Sequence, residues 1–231
     1  MLPKVTVLTL LGALFSAESA EAGGPVLVEL FTSQGCNSCP PADAYLGDLA
    51  KRRDVIALGF HVDYWNYIGW KDPFSDAAWT ERQRSYSRSL GTSQIYTPQM
   101  VVDGGDHAVG SDRRAVERLI GEAAKRDRPA LAAKRTVEGL RLTIEGAGEG
   151  EVWVVGYDPR HETKVPRGEN AGKTLTEFNV VRGVARIEAW KGGSYSRTLT
   201  ASELPPGGAH VALIQAPNLG RVLAVSAAAT P

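Results

Sequence analysis

Cys36 and Cys39 are the two cysteines of the chain. They stand in Cys36-Asn37-Ser38-Cys39, a spacing at which two thiols can react with each other. The thiolate is the nucleophile of thiol–disulfide exchange. A second thiol one turn away can attack the mixed disulfide and release the partner. Cys36 is therefore the candidate nucleophile and Cys39 the candidate resolving thiol. Two plainer readings compete. The pair could be an inert staple, although so short a loop removes little chain entropy from the unfolded state. It could also join His61 or His107 around a soft metal. No ligand spacing supports that, and no metal is assigned. Redox chemistry is preferred. It requires no dissociable cofactor, and its partners would be protein or peptide thiols and disulfides.

That chemistry needs a thiol of lowered pKa, and the flanking pattern supplies the means. Residues 26–31 read as a buried strand, and 40–51 as a helix with Tyr45, Leu46 and Leu49 on one face. The cysteines thus lie at a strand-to-helix junction, where unpaired N–H groups and the helix dipole favour a thiolate. Pro40 and Pro41 are tolerated in a first turn. Residues 55–62 form a second apolar strand. Ser75 caps a helix bearing Trp79, Tyr86 and Leu90, with Gly91 just past its end. Residues 99–102 are a third strand, and Asp103-Gly104-Gly105 turns the chain into 106–109. Ser111 caps a helix with Val116, Leu119, Ile120 and Ala123 on one face, and Pro129 stops it. The order is β-α-β-α-β-β-α.

After Pro129 come short strand-like runs at 140–145, 151–157, 184–190, 195–200, 211–215 and 222–225. Gly, Pro and Asn clusters separate them, which suggests an antiparallel, sandwich-like region. Gly146-x-Gly148-x-Gly150 joins two of these runs and opens no helix, so it reads as a turn rather than a nucleotide loop. The expected organisation is a signal peptide over 1–22, an α/β domain over 25–128 and a β-rich domain over 129–231. No flexible linker is visible near Pro129, so the two halves can pack as one unit.

Seven aromatics crowd residues 60–79: Phe60, Tyr64, Trp65, Tyr67, Trp70, Phe74 and Trp79. Ligands of open α/β sheets gather at the carboxyl ends of strands. Trp65 and Trp70 could line a substrate wall there, whereas Trp79 reads as core. His61 and Asp63 end the second strand and are candidates for a proton relay near the thiols. The plainer reading is a hydrogen-bonded strand histidine and a loop-capping aspartate. Arg82, Arg84 and Arg88 read as a solvated helix face.

Of 231 residues, Lys+Arg and Asp+Glu number 26 each, so the formal net charge is zero. This argues against a nucleic-acid partner and against a disordered acidic tail. A hydrophobic share of 43% suffices for a core. Lys4, the apolar run 5–15 and the small residues ending in Ala20 and Ala22 have the order of a secretory signal peptide. The run is well short of the roughly 20 residues of a spanning helix, and no membrane span is expected in the mature chain. The expected location is secreted or periplasmic, where a disulfide persists.

Tyr96-Thr97-Pro98-Gln99 stands immediately before the third strand. With the cysteine motif, it makes the first half resemble the thioredoxin-like superfamily. The resemblance implies a thioredoxin-like α/β fold with an aromatic-rich helical insert, and a cis Pro98 facing the disulfide. It also implies that the Thr97 backbone can pair with an extended peptide. Such proteins often hold a buried carboxylate under the cysteines, and Glu29 is the nearest candidate. It lies one position upstream of the usual place, so strand alternation turns it away unless a bulge at 32–35 restores it. The tryptophan that commonly precedes the motif is replaced by Ser33-Gln34-Gly35. Longer strings, from Val28-Glu29-Leu30-Phe31-Thr32-Ser33-Gln34-Gly35-Cys36 through Phe60-His61-Val62-Asp63-Tyr64-Trp65 to Gly69-Trp70-Lys71-Asp72-Pro73-Phe74, look like the secreted family called domain of unknown function 1223. The expectation is an extracytoplasmic thiol–disulfide oxidoreductase whose bond is exposed at the mouth of a cleft. The rival is a secreted binding or assembly module with a structural disulfide.

Overall fold

The structure, a computed structural model, describes residues 23–229. The expected signal peptide over 1–22 lies outside the described residues. In chain order the elements are β1 (Val26–Thr32), α1 (Pro40–Leu49), β2 (Val55–His61), α2 (Ala77–Ser89), β3 (Gln99–Val102), β4 (Asp106–Val109) and α3 (Arg113–Ala123). There follow β5 (Ala130–Thr136), β6 (Gly139–Glu145), β7 (Gly150–Lys164), β8 (Thr174–Trp190), β9 (Tyr195–Thr200), β10 (Ala209–Gln215) and β11 (Val222–Ala227).

The fold is mixed α/β. Its main sheet has eight strands in the order β11-β10-β7-β8-β2-β1-β3-β4. β1 and β2 run parallel at its centre. Both are apolar at nearly every position because both faces are covered. On one face Val28, Leu30 and Met100 pack against Leu46 of α1 and Ile120 of α3. On the other, Leu27, Phe31 and Phe60 meet Trp79 and Tyr86 of α2. Phe31 stacks on Phe60 at 5.5 Å, and Phe60 meets Trp79 edge-on at 5.4 Å. Full burial of each such ring contributes about 1.5–3 kcal/mol.

In both later helices the cap lies one residue beyond the expected one. Asp76, next to Ser75, accepts from the Ala78 N–H, and Asp112, next to Ser111, accepts from the Ala115 N–H. A carboxylate satisfies an orphan donor and also suits the positive end of the dipole.

β5, β6 and β9 form a separate three-stranded antiparallel sheet. Its Leu140, Leu142 and Ile144 pack on Val152, Val154 and Ile214 of the main sheet. Thus the strands after Pro129 both extend the main sheet and cover part of it. β8 adds to β2 in parallel through one register pair, Gly59 with Val180. The Asn179 side-chain amide donates to the Ala57 carbonyl beside it, at 2.8 Å. Gly59 lets the strands approach closely at this join, since a Cβ there would stand a tight 3.2 Å from the Phe178 carbonyl oxygen.

β5 was not expected from the sequence, and β7 and β8 are far longer than the runs at 151–157 and 184–190. The additional residues of β7 are largely polar and partly exposed, and those of β8 mix buried Leu175, Val180 and Val181 with polar residues, so neither shows a clean apolar alternation. They form a hairpin arm whose tip, 165–173, reaches the cysteine segment.

Candidate functional site

The connection 33–39 carries the chain from β1 into α1 and holds a Cys36–Cys39 disulfide with Cα atoms 5.4 Å apart. Cys39 is the residue before α1, and its carbonyl accepts from the Ala42 and Asp43 N–H groups. Pro40 and Pro41 fill the first turn, where no N–H bond is lost. Gly35 lets the aromatic loop close on this connection, because a Cβ there would be 2.9 Å from Trp65 Cβ.

Three of the expected substrate-side residues border the segment. The Trp65 indole N–H donates to the Thr97 hydroxyl at 2.8 Å. The Trp70 indole N–H donates to Gln34 Oε1 at 2.9 Å. The Thr97–Pro98 peptide bond is cis. Pro98 is buried beside α1. Gly110 sits between them, where a Cβ would stand 3.1 Å from Ala42 and 3.2 Å from Pro98.

The disulfide itself is not exposed, contrary to expectation. Cys36 is 1% and Cys39 0% accessible, whereas Asn37 and Ser38 at the apex face solvent. The hairpin tip 165–173 explains part of the cover. Asn170, itself fully buried, donates through Nδ2 to the Gln34 carbonyl at 2.9 Å and the Cys36 carbonyl at 3.0 Å. Glu169 accepts from the Asn37 N–H at 3.2 Å. Gly168 lies against Trp70.

A group of buried titratable side chains lies beside the cysteine segment. Asp43 is one helical turn after Cys39 and accepts from the Thr32 hydroxyl at 2.7 Å. Burial pushes its pKa up to about 7, against the pull of His61 and of that hydrogen bond. His61 Nδ1 lies 2.7 Å from Asp72 Oδ2. Burial works to lower the His61 pKa, but Asp72, helped by Asp43 and Glu177, outweighs it and raises it. Burial works to raise that of Asp72, which His61 and the Gln34 and Phe74 N–H groups bring below the usual range. Glu177 of β8 is raised by burial, accepts from the Gln34 side-chain amide at 2.7 Å, and keeps Oε2 without a partner. The arrangement can hold or release a proton near neutral pH within one turn of a cysteine.

The sequence missed Asp43, Asp72, Glu177, Gln34 and Asn170 as site residues. The i, i+4 relation of Cys39 and Asp43 was a usable signal. Asn170 and Glu177 reach the site from more than a hundred residues away and had no local one. The structure places two expected residues elsewhere. Asp63 is tied to α2, accepting from the Thr80 hydroxyl, and Asp72 is the partner of His61. Glu29 lies on the α2 face. The β1–β2 register is unbroken over residues 26–32, so no bulge turns it back. It pairs with Arg82 at 2.8 Å and accepts from the Tyr86 hydroxyl. Arg82 is therefore buried, in correction of the solvated face read for it, because this carboxylate needs a cation.

Among the described residues, no group of three or more His, Cys, Asp or Glu side chains could hold a metal ion, and no helix is long and apolar enough to cross a membrane. A cavity of about 870 Å³ lies away from the cysteines, between α2 and Trp153, Val184 and Leu219.

Residues 27–215 match the family described as protein of unknown function (DUF1223). The chain is similar to the crystal structure of protein AGR_C_4864 from Agrobacterium tumefaciens, with 31% identity and a TM-score of 0.79, covering 90% of this chain and 96% of that one. It is also similar to HBP35 of Porphyromonas gingivalis, at 12% identity and a TM-score of 0.51, covering 88% of this chain and 74% of that one. The latter likeness is one of fold alone. No curated protein matches.

Proposed function

This chain belongs to the family of unknown function DUF1223, and from the site itself we propose that it is an extracytoplasmic thiol–disulfide oxidoreductase with a thioredoxin-like site. The observation that carries the reading is the Cys36–Cys39 bond before α1, with Asp43 buried one turn on. In the reducing direction the Cys36 thiolate attacks a substrate disulfide, and one substrate sulfur leaves as thiolate. Cys39, deprotonated as it reacts, attacks Cys36 and expels the second. Two electrons pass from the cysteine pair to the substrate, and the Cys39 proton passes to a base, the role we assign to Asp43 one turn on. Oxidation of a dithiol is the reverse path. The helix N-terminus favours the Cys36 thiolate, and Thr97 beside cis Pro98 would pair with the substrate backbone. Trp65 and Trp70 would flank that groove. The partners are protein or peptide thiols and disulfides, and secretion through cleavage near Ala20 or Ala22 places the protein where they occur.

Burial of both sulfurs favours a second reading, a binding module with a structural disulfide. Insulin reduction separates the two. The oxidoreductase loses the activity in Cys36→Ser, and Cys39→Ser accumulates a mixed disulfide. A wild-type chain with no activity above that of Cys36→Ser overturns the redox reading.

A further inference from the structure

The hairpin tip 165–173 reaches across the chain and holds the backbone of the cysteine segment. Asn170 is fully buried, yet its amide serves the carbonyls of Gln34 and Cys36, which belong to a segment 134 residues away. Its own Oδ1 accepts from Lys173 at 2.9 Å, so its orientation is fixed from its own turn. Glu169 takes the N–H of Asn37, the exposed residue between the cysteines. The tip thereby fills three backbone groups of the cysteine segment, the Gln34 and Cys36 carbonyls and the Asn37 N–H.

We propose that the 165–173 tip is the specificity element of the Cys36–Cys39 couple, with Asn170 its positioning residue, and that it reserves exchange for extended, disulfide-bearing polypeptides. The proposal rests on the redox reading and deepens it by naming the substrate class. A polypeptide can offer backbone N–H and C=O groups to replace those of Asn170 and Glu169 as it displaces the tip. A small thiol has none to offer, so it must await spontaneous opening. Opening breaks all three of these hydrogen bonds, which holds the open form down by roughly a hundredfold.

The test follows reduction of the oxidised full-length protein by dithiothreitol. One thiolate of the reagent attacks a sulfur of the pair, and its second thiol closes the cyclic disulfide. Two electrons and two protons end on Cys36 and Cys39. Asn170→Ala is expected to be reduced about tenfold faster than wild type. Glu169→Ala, a change at an exposed position that leaves the core intact, is expected to be faster by severalfold. Both variants should gain far less with a reduced extended peptide carrying two cysteines, because the peptide itself displaces the tip. Leu199→Ala, in the distant three-stranded sheet, controls for general loss of stability and should leave the rate unchanged. Wild-type rates with dithiothreitol in both tip variants overturn the proposal. Should Asn170→Ala fail to fold, Glu169→Ala alone decides. Equal acceleration by Leu199→Ala also overturns it. Failure of insulin reduction would sink the redox reading while these rates still report on the tip, so the two failures are distinguishable.

Discussion

Asp43 gives the site its clearest signature in pH. Its carboxyl is harder to ionise in the folded chain, at about 7, than in the unfolded chain, at 3.8. Between those values the folded state holds more protons, so stability falls as pH rises through the window. His61, raised by its acidic neighbours, acts in the same sense: its contribution is full below the unfolded value and is lost as pH rises through the folded one. Asp72, lowered, works only in acid, where its contribution disappears as pH falls. The wild-type melting temperature should therefore decline from about pH 5 to about pH 8. Asp43→Asn, which keeps an oxygen for the Thr32 hydroxyl, should flatten that decline; an unchanged slope would show that Asp43 does not titrate there. On the opposite face, Glu29→Gln leaves the buried Arg82 guanidinium without its counter-charge. A loss of about 3–5 kcal/mol in denaturant unfolding is expected, with much of it recovered when Arg82→Met is added.

At the scale of elements, α1 is pressed onto β8 at Gly47, where an added Cβ would stand 2.5 Å from the Phe178 ring. Alanine is worth about 1 kcal/mol over glycine in a helix interior, and overpacking costs about 1–3 kcal/mol. Gly47→Ala should therefore be less stable than wild type, and Phe178→Leu should restore it in the double variant. Thermal unfolding of all four proteins checks this; independent effects would mean that the ring gives way. The elements of the first half were legible in the sequence because their apolar periodicity is strong, as at Val116, Leu119 and Ile120. The caps were legible only as neighbourhoods, since Ser75-Asp76 and Ser111-Asp112 each offer two capping oxygens and local spacing does not choose between them. The arm of β7 and β8 was not legible, because Asp158 to Lys164 is polar and its partners lie across a hairpin. With the arm went Asn170 and Glu177, while Cys36 and Cys39 stand out by their spacing, Trp65 and Trp70 by the aromatic cluster, and Thr97 and Pro98 through the family resemblance.

Across the whole molecule, the apolar face of Leu27, Phe31 and Phe60 is completed by Val155, Val181, Val211 and Val225 from beyond Pro129. A fragment ending at Arg128 would expose that face. It should bind a hydrophobic dye and lack a near-UV circular dichroism signal, while the full chain should unfold in one transition by both tryptophan fluorescence and circular dichroism. A fragment with sharp native-like unfolding would refute this. The strand ladder that joins the halves is narrow all the same, with β8 meeting β2 at the single pair Gly59 and Val180. Under tension a crack opens where the fewest bonds share the load, so a pull on the C-terminal strands should part the sheet at this pair before any longer ladder yields. The strand that comes away is the one that follows Asn170, and mechanical stress would thereby withdraw that residue from the cysteine segment.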